Sequence, residues 1–470
     1  AIGPEYIVGV RMTFDEFWER GFSAQDGRAI ARILADTGDV DFINVIRGRI
    51  ESEAALISQF PTHGMQRAPD LDFAGSVREE FGLPTFHATG INDVATARHA
   101  IVEGKLDMVG MVRAHIADPH IVRKITEKRE HEIRPCVGAT YCLDRIYENG
   151  EALCIHNAAT GREATMPHVV EPTRDDKKHI VVIGAGPAGL EAALTAAQRG
   201  HRVTLLEASD RVGGQLQLIA RTARRAELLE IARWRAERCE ALGVEIKFNC
   251  FAEADDVTAL DPDVVIVATG GLPDTDILDN GNEHVVSTWD VLAGDHAIKG
   301  DVLLYDDNGT HPGMQAAECI ASAGAALEFV TPERMLAPDV GGINQVAYTA
   351  AFHQHGVAVS LNHHVRSVSK VGERFEVELV SDYVDVVQKR VVDAVVVEHG
   401  TVPNDELYFA LKSGSTNLGE VDYDALIAGR PQTISNNPGG RYALYRIGDA
   451  VASRNIHASI YDALRLVKDI

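Results

Sequence analysis

Short apolar segments alternate with helix-like segments along the first 125 residues of the chain. Four strands are predicted, at residues 7–11, 41–46, 84–88 and 107–112, and the predicted helices include residues 77–81 and 95–103. Ile30, Ile33 and Leu34 have helical spacing and add a helix after the first strand. Such alternation indicates parallel strands, in a barrel or a doubly wound sheet.

The alternation stops and then resumes. Residues 131–166 have little periodicity, and residues 167–178 contain proline and many charges, which is typical of a linker. Further strands are predicted at residues 180–183, 202–206, 264–268, 301–305, 394–397 and 445–450, with a helix after the last. The predicted class is α/β, with two nucleotide-binding folds in series in the second part.

Composition narrows the class of protein. A chain of 470 residues is too long for one core, so roughly two to four domains are expected. The net charge of −24 argues against nucleic acid and against an anionic membrane surface as partners. No run of about 18 apolar residues predicts a membrane span. Six cysteines are too few for a disulfide framework, so a reducing cytoplasm is expected.

A glycine-rich loop follows the strand at residues 180–183. It reads Gly184-x-Gly186-x-x-Gly189 and leads into a predicted helix at residues 190–198, with Ala188 inside the loop. The first glycine allows a tight turn, the second lets a pyrophosphate approach, and the third lets helix and strand pack. Glu207 ends the next strand, where a carboxylate binds ribose hydroxyls. Together these features predict a dinucleotide site.

Three of the cysteines, Cys136, Cys142 and Cys154, lie in one short stretch. Thiolates at this spacing can surround one soft metal centre. Zinc is an alternative, although the stretch contains neither a fourth cysteine nor a C-x-x-C pair. Buried cysteines without any ligand are the other alternative.

In order along the chain, these segments resemble the C-terminal two thirds of the trimethylamine dehydrogenase and 2,4-dienoyl-CoA reductase family of old-yellow-enzyme-like flavoproteins. The matching residues are Val8-Gly9-Val10-Arg11, Asp41-Phe42-Ile43-Asn44, Ile91-Asn92-Asp93, Asp107-Met108-Val109-Gly110-Met111-Val112-Arg113, Ala117-Asp118-Pro119, Asn157-Ala158 with the cysteines, and the glycine loop. Residues 134–163 look most like bacterial demethylases of N-methylated amino acids.

The resemblance implies four regions. Residues 1–130 would be the C-terminal half of an FMN-binding (β/α)8 TIM barrel, and residues 131–170 an iron–sulfur segment with a linker. Residues 171–290 and 395–470 would form a Rossmann-like domain for FAD or ADP, with an NAD(P)-binding-like domain nested at residues 291–394. The chain begins in strand-like sequence without methionine, as the middle of a domain would.

The resemblance also implies cofactor contacts. Arg11 would lie beside the FMN pyrimidine, and Gly90, Met111, Val112 and Arg113 would hold the FMN phosphate, although an arginine is common in the family at or next to Gly90. The residues implied at FAD are Gly214, Gln215, Ala268, Thr269, Gly270, Gly448 and Asp449. Asp449 would meet the ribityl chain.

The cysteines depart from the family pattern, because the second of the family's four falls at Ala139. The remaining three would hold a [4Fe–4S] cluster with another ligand on the fourth iron, or a [3Fe–4S] cluster. Solvent, Tyr141, Asp144 and His156 are the candidates for that ligand.

The second nucleotide fold lacks a glycine loop. Its strand is followed by Asp306-Asp307-Asn308-Gly309-Thr310-His311-Pro312-Gly313. Two carboxylates stand where a pyrophosphate would lie, and Pro312 removes a backbone N–H. NAD(P)H is therefore expected to be a poor partner, and an electron-transferring flavoprotein or a similar acceptor is expected instead.

Arg47 and Arg49 follow the second predicted strand, where barrel enzymes carry their chemistry. Two guanidinium groups would repel a simple alkylammonium and could bind a carboxylate, so a small carboxylated amine is the expected substrate. Pairing of these arginines with Glu51 or Glu53 is the structural alternative. The predicted function is oxidation of an N-methylated amino acid or betaine, with electrons passing from FMN through the cluster to an external acceptor.

Two other functions stay open. One is an NAD(P)H-dependent enoate reductase, since the same positive site suits a CoA thioester, and the other is a non-catalytic flavoprotein subunit. A complete barrel needs about 250 residues, and only about 125 precede the cysteines. The N-terminal half is expected in the same protein or in another chain, and a homo-oligomer is expected.

Overall fold

The computed structural model describes residues 3, 5–296 and 298–470. The chain divides into two compact units. The first contains residues 1–150 and 342–346, and the second contains residues 151–341 and 347–470.

The first unit is a parallel sheet with helices. Its strands are β1 (Gly9–Thr13), β2 (Phe42–Ile46), β3 (Thr85–His87) and β4 (Met108–Val109). Its helices are α1 (Ala24–Asp36), α2 (Glu53–Leu56), α3 (Leu71–Phe81), α4 (Val94–Val102), α5 (Val112–Ala117), α6 (Ile121–Thr126) and α7 (Tyr141–Tyr147). The strands pair in the order β1-β2-β3-β4, each parallel to the next. This is the strand order of consecutive β–α units in a barrel.

Several boundaries in this unit differ from those predicted, two of them by more than two residues. The fourth strand ends at Val109, and Val112 begins α5 instead of ending a strand. The apolar run from Met108 to Val112 hides this turn, because periodicity does not separate a short strand from the buried start of a helix. Helix α3 begins at Leu71, earlier than predicted, because Leu71, Ala74 and Val77 are all buried on one side.

The two faces of the sheet differ. Ile43 and Val45 of β2 are buried in a core with Phe14, Val77 and Ile121, among others. Alternate residues point to the opposite face, where the rings of Phe42 and Phe86 stack with centroids 4.5 Å apart. Met108 on β4 is 54% exposed. The apolar face that a closed barrel would bury is therefore open in this chain.

The second unit carries the nucleotide-binding folds. Its strands are β5 (His179–Ile183), β6 (Arg202–Leu206), β7 (Glu245–Lys247), β8 (Val264–Val267), β9 (Gly271–Pro273), β10 (Val285–Ser287), β11 (Asp301–Asp306), β12 (Ala326–Val330), β13 (Ala358–Ser360), β14 (His364–Val371), β15 (Arg374–Ser381), β16 (Val384–Val392), β17 (Ala394–Glu398), β18 (Thr401–Pro403) and β19 (Ala443–Arg446). Its helices are α8 (Pro187–Gln198), α9 (Leu216–Ile219), α10 (Glu230–Ala241), α11 (Ala254–Ala259), α12 (Thr288–Ala293), α13 (His311–Ser322), α14 (Gly342–His355), of which residues 342–346 belong to the first unit, α15 (Glu406–Lys412), α16 (Tyr423–Ile427) and α17 (Ile456–Val467).

Two five-stranded parallel sheets organise this unit. The first has the order β19-β8-β5-β6-β7, and the second has the order β10-β17-β11-β12-β13. The first is interrupted in sequence by the second, as the nested arrangement requires. Residues 364–392 form a three-stranded antiparallel sheet, β14-β15-β16, which the sequence analysis did not predict. The exact domain limits stay a prediction.

Within the described ranges, no helix is both long enough and apolar enough to cross a membrane. No disulfide bond links any of the six cysteines, all of which lie within the described ranges. The cytoplasmic location inferred from cysteine use stays a prediction.

Candidate cofactor-binding sites

A cavity of about 560 Å³ opens in the second unit, where β5, β6 and β8 end. Ten of the residues expected at FAD line it, namely Gly184, Gly186, Ala188, Glu207, Gly214, Gln215, Ala268, Thr269, Gly270 and Asp449. The carboxyl edge of a parallel sheet is the usual place for a dinucleotide in this fold. The other two expected residues, Gly189 and Gly448, pack behind the cavity wall.

Each glycine of the loop has a different physical role. Gly184 has φ of +99°, a conformation that favours glycine. A Cβ on Gly189 would overlap the carbonyl oxygen of Gly184, so Gly189 lets helix and strand pack closely. A Cβ on Gly186 would meet no protein atom within 4 Å. The space beside Gly186 is therefore an open cradle at the start of α8, which fits a pyrophosphate.

Two carboxyl side chains, Glu207 and Asp449, line the cavity. Glu207 accepts hydrogen bonds from Ala185 N at 2.6 Å and from Ser209 N and Ser209 Oγ, both at 2.8 Å, which leaves a lone pair for a ribose hydroxyl. Asp449 accepts from Gln215 Nε2 at 3.0 Å, and burial raises the pKa of its carboxyl.

Many other lining residues were missed from the sequence. Among them are Cys250, Phe251, Ala252, Glu253 and Ala254 after β7, Trp289 on α12, Asn404, Glu406, Leu407 and Ala410 near α15, and Arg454, Asn455, Ile456 and Ser459 at α17. Strand β7 has only three residues and none is fully buried, so it carries little apolar pattern. No sequence signal predicted the residues that follow it.

In the second nucleotide-binding fold, the side chain of Asp306 fills the loop that follows β11. Asp306 Oδ1 accepts from Asn308 N at 2.9 Å and from Gly309 N at 2.8 Å. Its Oδ2 lies where a Cβ on Gly313 would be, and Asp306 is 1% exposed. Glu398, the register partner of Asp306 on β17, is also buried. The carboxylate takes loop N–H groups that a pyrophosphate would need.

Asp306→Asn is expected to stabilise the protein more at high pH than at low pH. Burial raises the pKa of the Asp306 carboxyl to about 8. Because this folded-state pKa lies above the unfolded value, the stability linked to its proton is present at low pH and is lost as the pH rises through about 8.

The measurement is the thermal midpoint of the wild type and the variant between pH 5 and pH 9. The difference between the midpoints of Asp306→Asn and the wild type should grow from pH 5 to about pH 8 and stay constant above that pH. The exposed residue Asp385 provides a control, Asp385→Asn, which should follow the wild-type curve. Parallel curves for Asp306→Asn and the wild type would contradict the buried carboxyl.

In the first unit, the residues expected at FMN follow adjacent strands. Arg11 on β1 is the register partner of Asn44, and both lie on the face opposite the core. Gly90 follows β3 with φ of +70°, and Met111 follows β4. Since β3 and β4 pair in parallel, these two ends meet at the same edge. Arg113 Nη1 donates to Pro61 O at 2.8 Å, which holds its guanidinium at this edge.

The two arginines after β2 have different environments. Arg47 Nη1 pairs with Asp70 at 2.9 Å and Nη2 pairs with Asp15 at 3.0 Å. The guanidinium carbon lies 4.4 Å from the ring centroid of Phe17 and 4.3 Å from that of Phe73. Arg47 therefore pairs with two carboxylates and packs against two aromatic rings. These contacts connect the segment after β1, with Asp15 and Phe17, to the first turn of α3, with Asp70 and Phe73.

Arg49 is held less tightly. Its Nε pairs with Glu51, which is 52% exposed, and its Nη1 donates to Phe17 O at 2.8 Å and to Glu16 O at 3.2 Å. Its guanidinium carbon lies 5.2 Å from the ring centroid of Trp18. Among the described residues, no acceptor binds its Nη2. The ion pair between Arg49 and Glu51, which the sequence analysis gave as the structural alternative, is therefore present. Because Glu51 is exposed, solvent weakens this ion pair.

The cysteine stretch spans both units. Cys136 and Cys142 are half-buried in the first unit, and Cys154 is buried in the second. The N–H of His156 points at Cys154 Sγ at 3.4 Å, the kind of contact that ligating sulfurs receive in iron–sulfur proteins. Among the residues described, no three His, Cys, Asp or Glu side chains converge to hold a metal ion. The iron–sulfur site therefore stays a prediction, which rests on the thiol chemistry of the three cysteines.

Comparison with known proteins assigns the two regions. Residues 1–132 match the NADH:flavin oxidoreductase / NADH oxidase family, and residues 143–292 match the pyridine nucleotide-disulphide oxidoreductase family. Over 469 residues the chain is 52% identical to a probable N-methylproline demethylase of Rhizobium meliloti, covering 100% of this chain and 69% of that protein.

Two more relatives extend the match. The chain is 38% identical over 480 residues to the N,N-dimethylglycine/sarcosine dehydrogenase of Chromohalobacter salexigens, covering 100% of this chain and 69% of that protein. The structure of 2-naphthoyl-CoA reductase with 2-naphthoyl-CoA superimposes with a TM-score of 0.82 at 24% identity, covering 99% of this chain and 65% of that one, and it shows the shared fold.

The chain spans about two thirds of the length of these relatives. Its first unit is the C-terminal half of a flavin-binding (β/α)8 barrel, and its second unit carries Rossmann-like nucleotide-binding folds. This flavin-dependent oxidoreductase chain belongs to the trimethylamine dehydrogenase and 2,4-dienoyl-CoA reductase family of old-yellow-enzyme-like flavoproteins.

Proposed function

We propose that this chain is the C-terminal part of a demethylase for an N-methylated amino acid or betaine. The similarity along the whole chain to two proteins named for N-methylproline and for dimethylglycine or sarcosine carries the proposal. FMN, a cluster held by Cys136, Cys142 and Cys154, and FAD would be its cofactors. An electron-transferring flavoprotein or similar carrier would take the electrons, and the protein would be a cytoplasmic homo-oligomer.

The chemistry needs a substrate held with its N-methyl group at the flavin. When bound, the flavin accepts the hydride that leaves the C–H next to nitrogen. Water then adds to the resulting iminium carbon, and breakage of the C–N bond releases formaldehyde and the demethylated amine. The positive charge of Arg11 would stabilise negative charge near the flavin pyrimidine, and Arg113 would bind the FMN phosphate.

We assign the substrate carboxylate to Arg49 rather than Arg47. Arg47 already binds Asp15 and Asp70, so a substrate carboxylate would have to displace one of two partners whose side chains are only 17% and 5% exposed. Arg49 has an exposed partner in Glu51, which a substrate carboxylate can replace at small cost. An alkylammonium without a carboxylate would meet two guanidinium groups and no compensating anion.

Arg49→Met is expected to raise KM for an N-methylated amino acid at least tenfold, about 1.4 kcal/mol, because a charge-assisted hydrogen bond to the substrate is lost. The measurement is steady-state kinetics of the full-length enzyme. Arg47→Met should instead lower the free energy of unfolding by about 2 kcal/mol, since two carboxylates lose their partner. Glu51→Gln is the matched control and should not raise KM. An unchanged KM in Arg49→Met would contradict the assignment of the substrate carboxylate to Arg49.

FAD rather than ADP is the ligand we propose for the cavity of the second unit. ADP ends at the pyrophosphate, whereas the lining continues to Gln215, Trp289 and Asp449. Because Asp306 already accepts the N–H groups of Asn308 and Gly309 that a pyrophosphate would need, we infer that NAD(P)H does not supply the electrons. The rest of the barrel would cover the open face around Phe42, Phe86 and Met108, from residues outside this sequence or from another chain.

The test is cofactor analysis of the full-length protein, followed by anaerobic addition of substrates. We expect iron, sulfide, FMN and FAD, with rapid bleaching of the flavin absorbance by an N-methylated amino acid and little bleaching by NADH. Rapid reduction by micromolar NADH with turnover of an enoate would favour a reductase instead. No redox-active absorbance at all would indicate a non-catalytic subunit.

A further inference from the structure

The loop between β1 and α1 carries three exposed aromatic side chains. Phe17, Trp18 and Phe22 are 47%, 46% and 47% exposed. Thr13 of β1 and Ile46 of β2 are register partners in parallel strands, so the segments that follow them begin at the same edge of the sheet. In barrel enzymes this carboxyl edge carries the active site. The aromatic loop therefore begins beside the segment that contains Arg49.

The base of this loop is closed by its own hydrogen bonds. Glu16 N donates to Phe22 O at 2.9 Å, and Phe22 N donates to Glu16 Oε2 at 2.9 Å. Gly21 N donates to Trp18 O at 3.0 Å, which makes a turn at the tip. Residues 17–21 are thus held as one compact piece.

Phe17 has a backbone conformation that is unusual for an aromatic residue, with φ of +51°. Its N–H donates to Asp15 Oδ1 at 3.0 Å, and its carbonyl oxygen accepts from Arg49 Nη1 at 2.8 Å. Such a conformation persists where the surrounding contacts determine it. Arg49 is one of these contacts, so the loop and the guanidinium group fix each other.

The loop contacts one side of the Arg49 guanidinium. Nη1 donates to Phe17 O and, at 3.2 Å, to Glu16 O. The ring centroid of Trp18 lies 5.2 Å from Cζ, within the range of a cation–π contact. Nε pairs with Glu51, and Nη2 has no acceptor in the described part of the chain. The loop thus uses Nη1 and leaves the edge formed by Nε and Nη2.

The edge formed by Nε and Nη2 matches a carboxylate. Its two N–H groups can bind the two oxygens of one carboxylate as a bidentate fork. Glu51 accepts only from Nε, and its side chain is 52% exposed. A substrate carboxylate that takes both donors therefore makes a hydrogen bond to Arg49 that Glu51 does not make.

We propose that Trp18 is a positioning residue that, with the carbonyl groups of Glu16 and Phe17, presents the Nε and Nη2 edge of Arg49 to the substrate carboxylate. Glu51 stands in for that carboxylate at the same edge. This inference rests on the proposed function, because it takes the substrate to be a carboxylated amine. It makes the loop after β1 a determinant of specificity for the carboxylate.

The test measures binding of the anion of tert-butylacetic acid to the full-length holoenzyme by isothermal titration calorimetry. This probe has the shape of a betaine with carbon in place of nitrogen, so it has the carboxylate but no C–H next to nitrogen to oxidise. The matched probe, tert-butylacetamide, has the same shape without the charge. The wild type should bind the acid at least about tenfold more tightly than the amide, because only the acid makes charge-assisted hydrogen bonds to Arg49.

Trp18→Ala removes the ring beside the guanidinium and should weaken binding of the acid about fivefold, with binding of the amide unchanged. In steady-state kinetics with dimethylglycine, the same variant should raise KM and keep kcat. Trp18→Phe keeps an aromatic face and should stay within about twofold of the wild type. Phe22→Ala is the matched control, since Phe22 is in the same loop, is similarly exposed, and has no described guanidinium over its ring.

Glu51→Gln tests the other half of the proposal. It removes the charge that competes for Nε, so binding of the acid should become at least about twofold tighter, while binding of the amide should not change. Should Trp18→Ala not fold, Trp18→Leu takes its place with the same expected result, because leucine keeps bulk without an aromatic face.

Wild-type affinity for the acid in the Trp18 variant that lacks an aromatic ring, or weaker binding of the acid in Glu51→Gln, would overturn the inference. The carboxylated substrate would still stand if the wild type prefers the acid to the amide. Equal binding of acid and amide by the wild type would overturn the carboxylated substrate and the inference with it. The preference of the wild type therefore distinguishes the two failures.

Discussion

Gly186→Val is expected to give a folded protein that has lost its FAD. The backbone at Gly186 has φ of −74° and ψ of −178°, which any residue adopts, and an added Cβ meets no protein atom within 4 Å. The side chain would instead fill the space at the start of α8 where the pyrophosphate approaches. We expect affinity for FAD to fall at least 100-fold, about 3 kcal/mol.

Flavin per chain after purification and the thermal midpoint of the flavin-free protein measure this effect. The flavin-free midpoint should stay close to that of the flavin-free wild type. Gly189→Ala should behave in the opposite way, because its Cβ overlaps Gly184 O and destabilises the fold itself. Gly439→Ala, at an exposed glycine outside the cavity lining, is the control. Stoichiometric FAD in Gly186→Val would show that the nucleotide does not lie in this cradle.

Cys142→Ser is expected to abolish iron binding. A serine hydroxyl is a harder and much less acidic ligand than a thiol, so one of the three proposed cysteine ligands to the cluster would be lost. The measurement is iron and acid-labile sulfide per chain, with the visible absorbance of the cluster. Cys319→Ser on α13 is the control, since Cys319 is a free cysteine outside the run.

Ala139→Cys tests the same site by restoring the fourth cysteine of the family pattern. If the cluster has three irons because the fourth cysteine is absent, restoring it should raise the iron content to four per chain and change the spectrum of the reduced cluster. Stoichiometric zinc with no iron in protein purified without oxygen would refute the iron–sulfur assignment.

Local sequence rules predicted the parts of this protein that local rules govern. The glycine loop between β5 and α8 is a tight turn that only certain residues permit, so Gly184, Gly186 and Gly189 were identified from their spacing. The central strands β2, β5, β6 and β8 were predicted within about two residues, because a buried parallel strand is apolar throughout. Strand β7 was not predicted, since its three residues carry little apolar pattern. The sheet β14-β15-β16 was missed although Val377 and Leu379 of β15 alternate with polar residues and are buried.

The roles of individual charged residues depended on the tertiary structure. Arg47 and Arg49 are two residues apart and look alike in sequence, yet one is paired with Asp15 and Asp70 and the other with an exposed glutamate. From the sequence, Asp306 was predicted to lie where a pyrophosphate would bind. Only the structure shows that its carboxyl group accepts hydrogen bonds from the N–H groups of Asn308 and Gly309.

By itself, the sequence determined an α/β chain with a dinucleotide loop and a short cysteine run, because turns, strand periodicity and ligand spacing are properties of neighbouring residues. The flavoprotein family was identified from the resemblance of several motifs in order along the chain. Only the tertiary structure decided which partners each side chain has. Arg235 and His156 are 79 residues apart, and His457 and Cys154 are 303 apart. Contacts across such separations arise from packing of helices, and no local pattern encodes them.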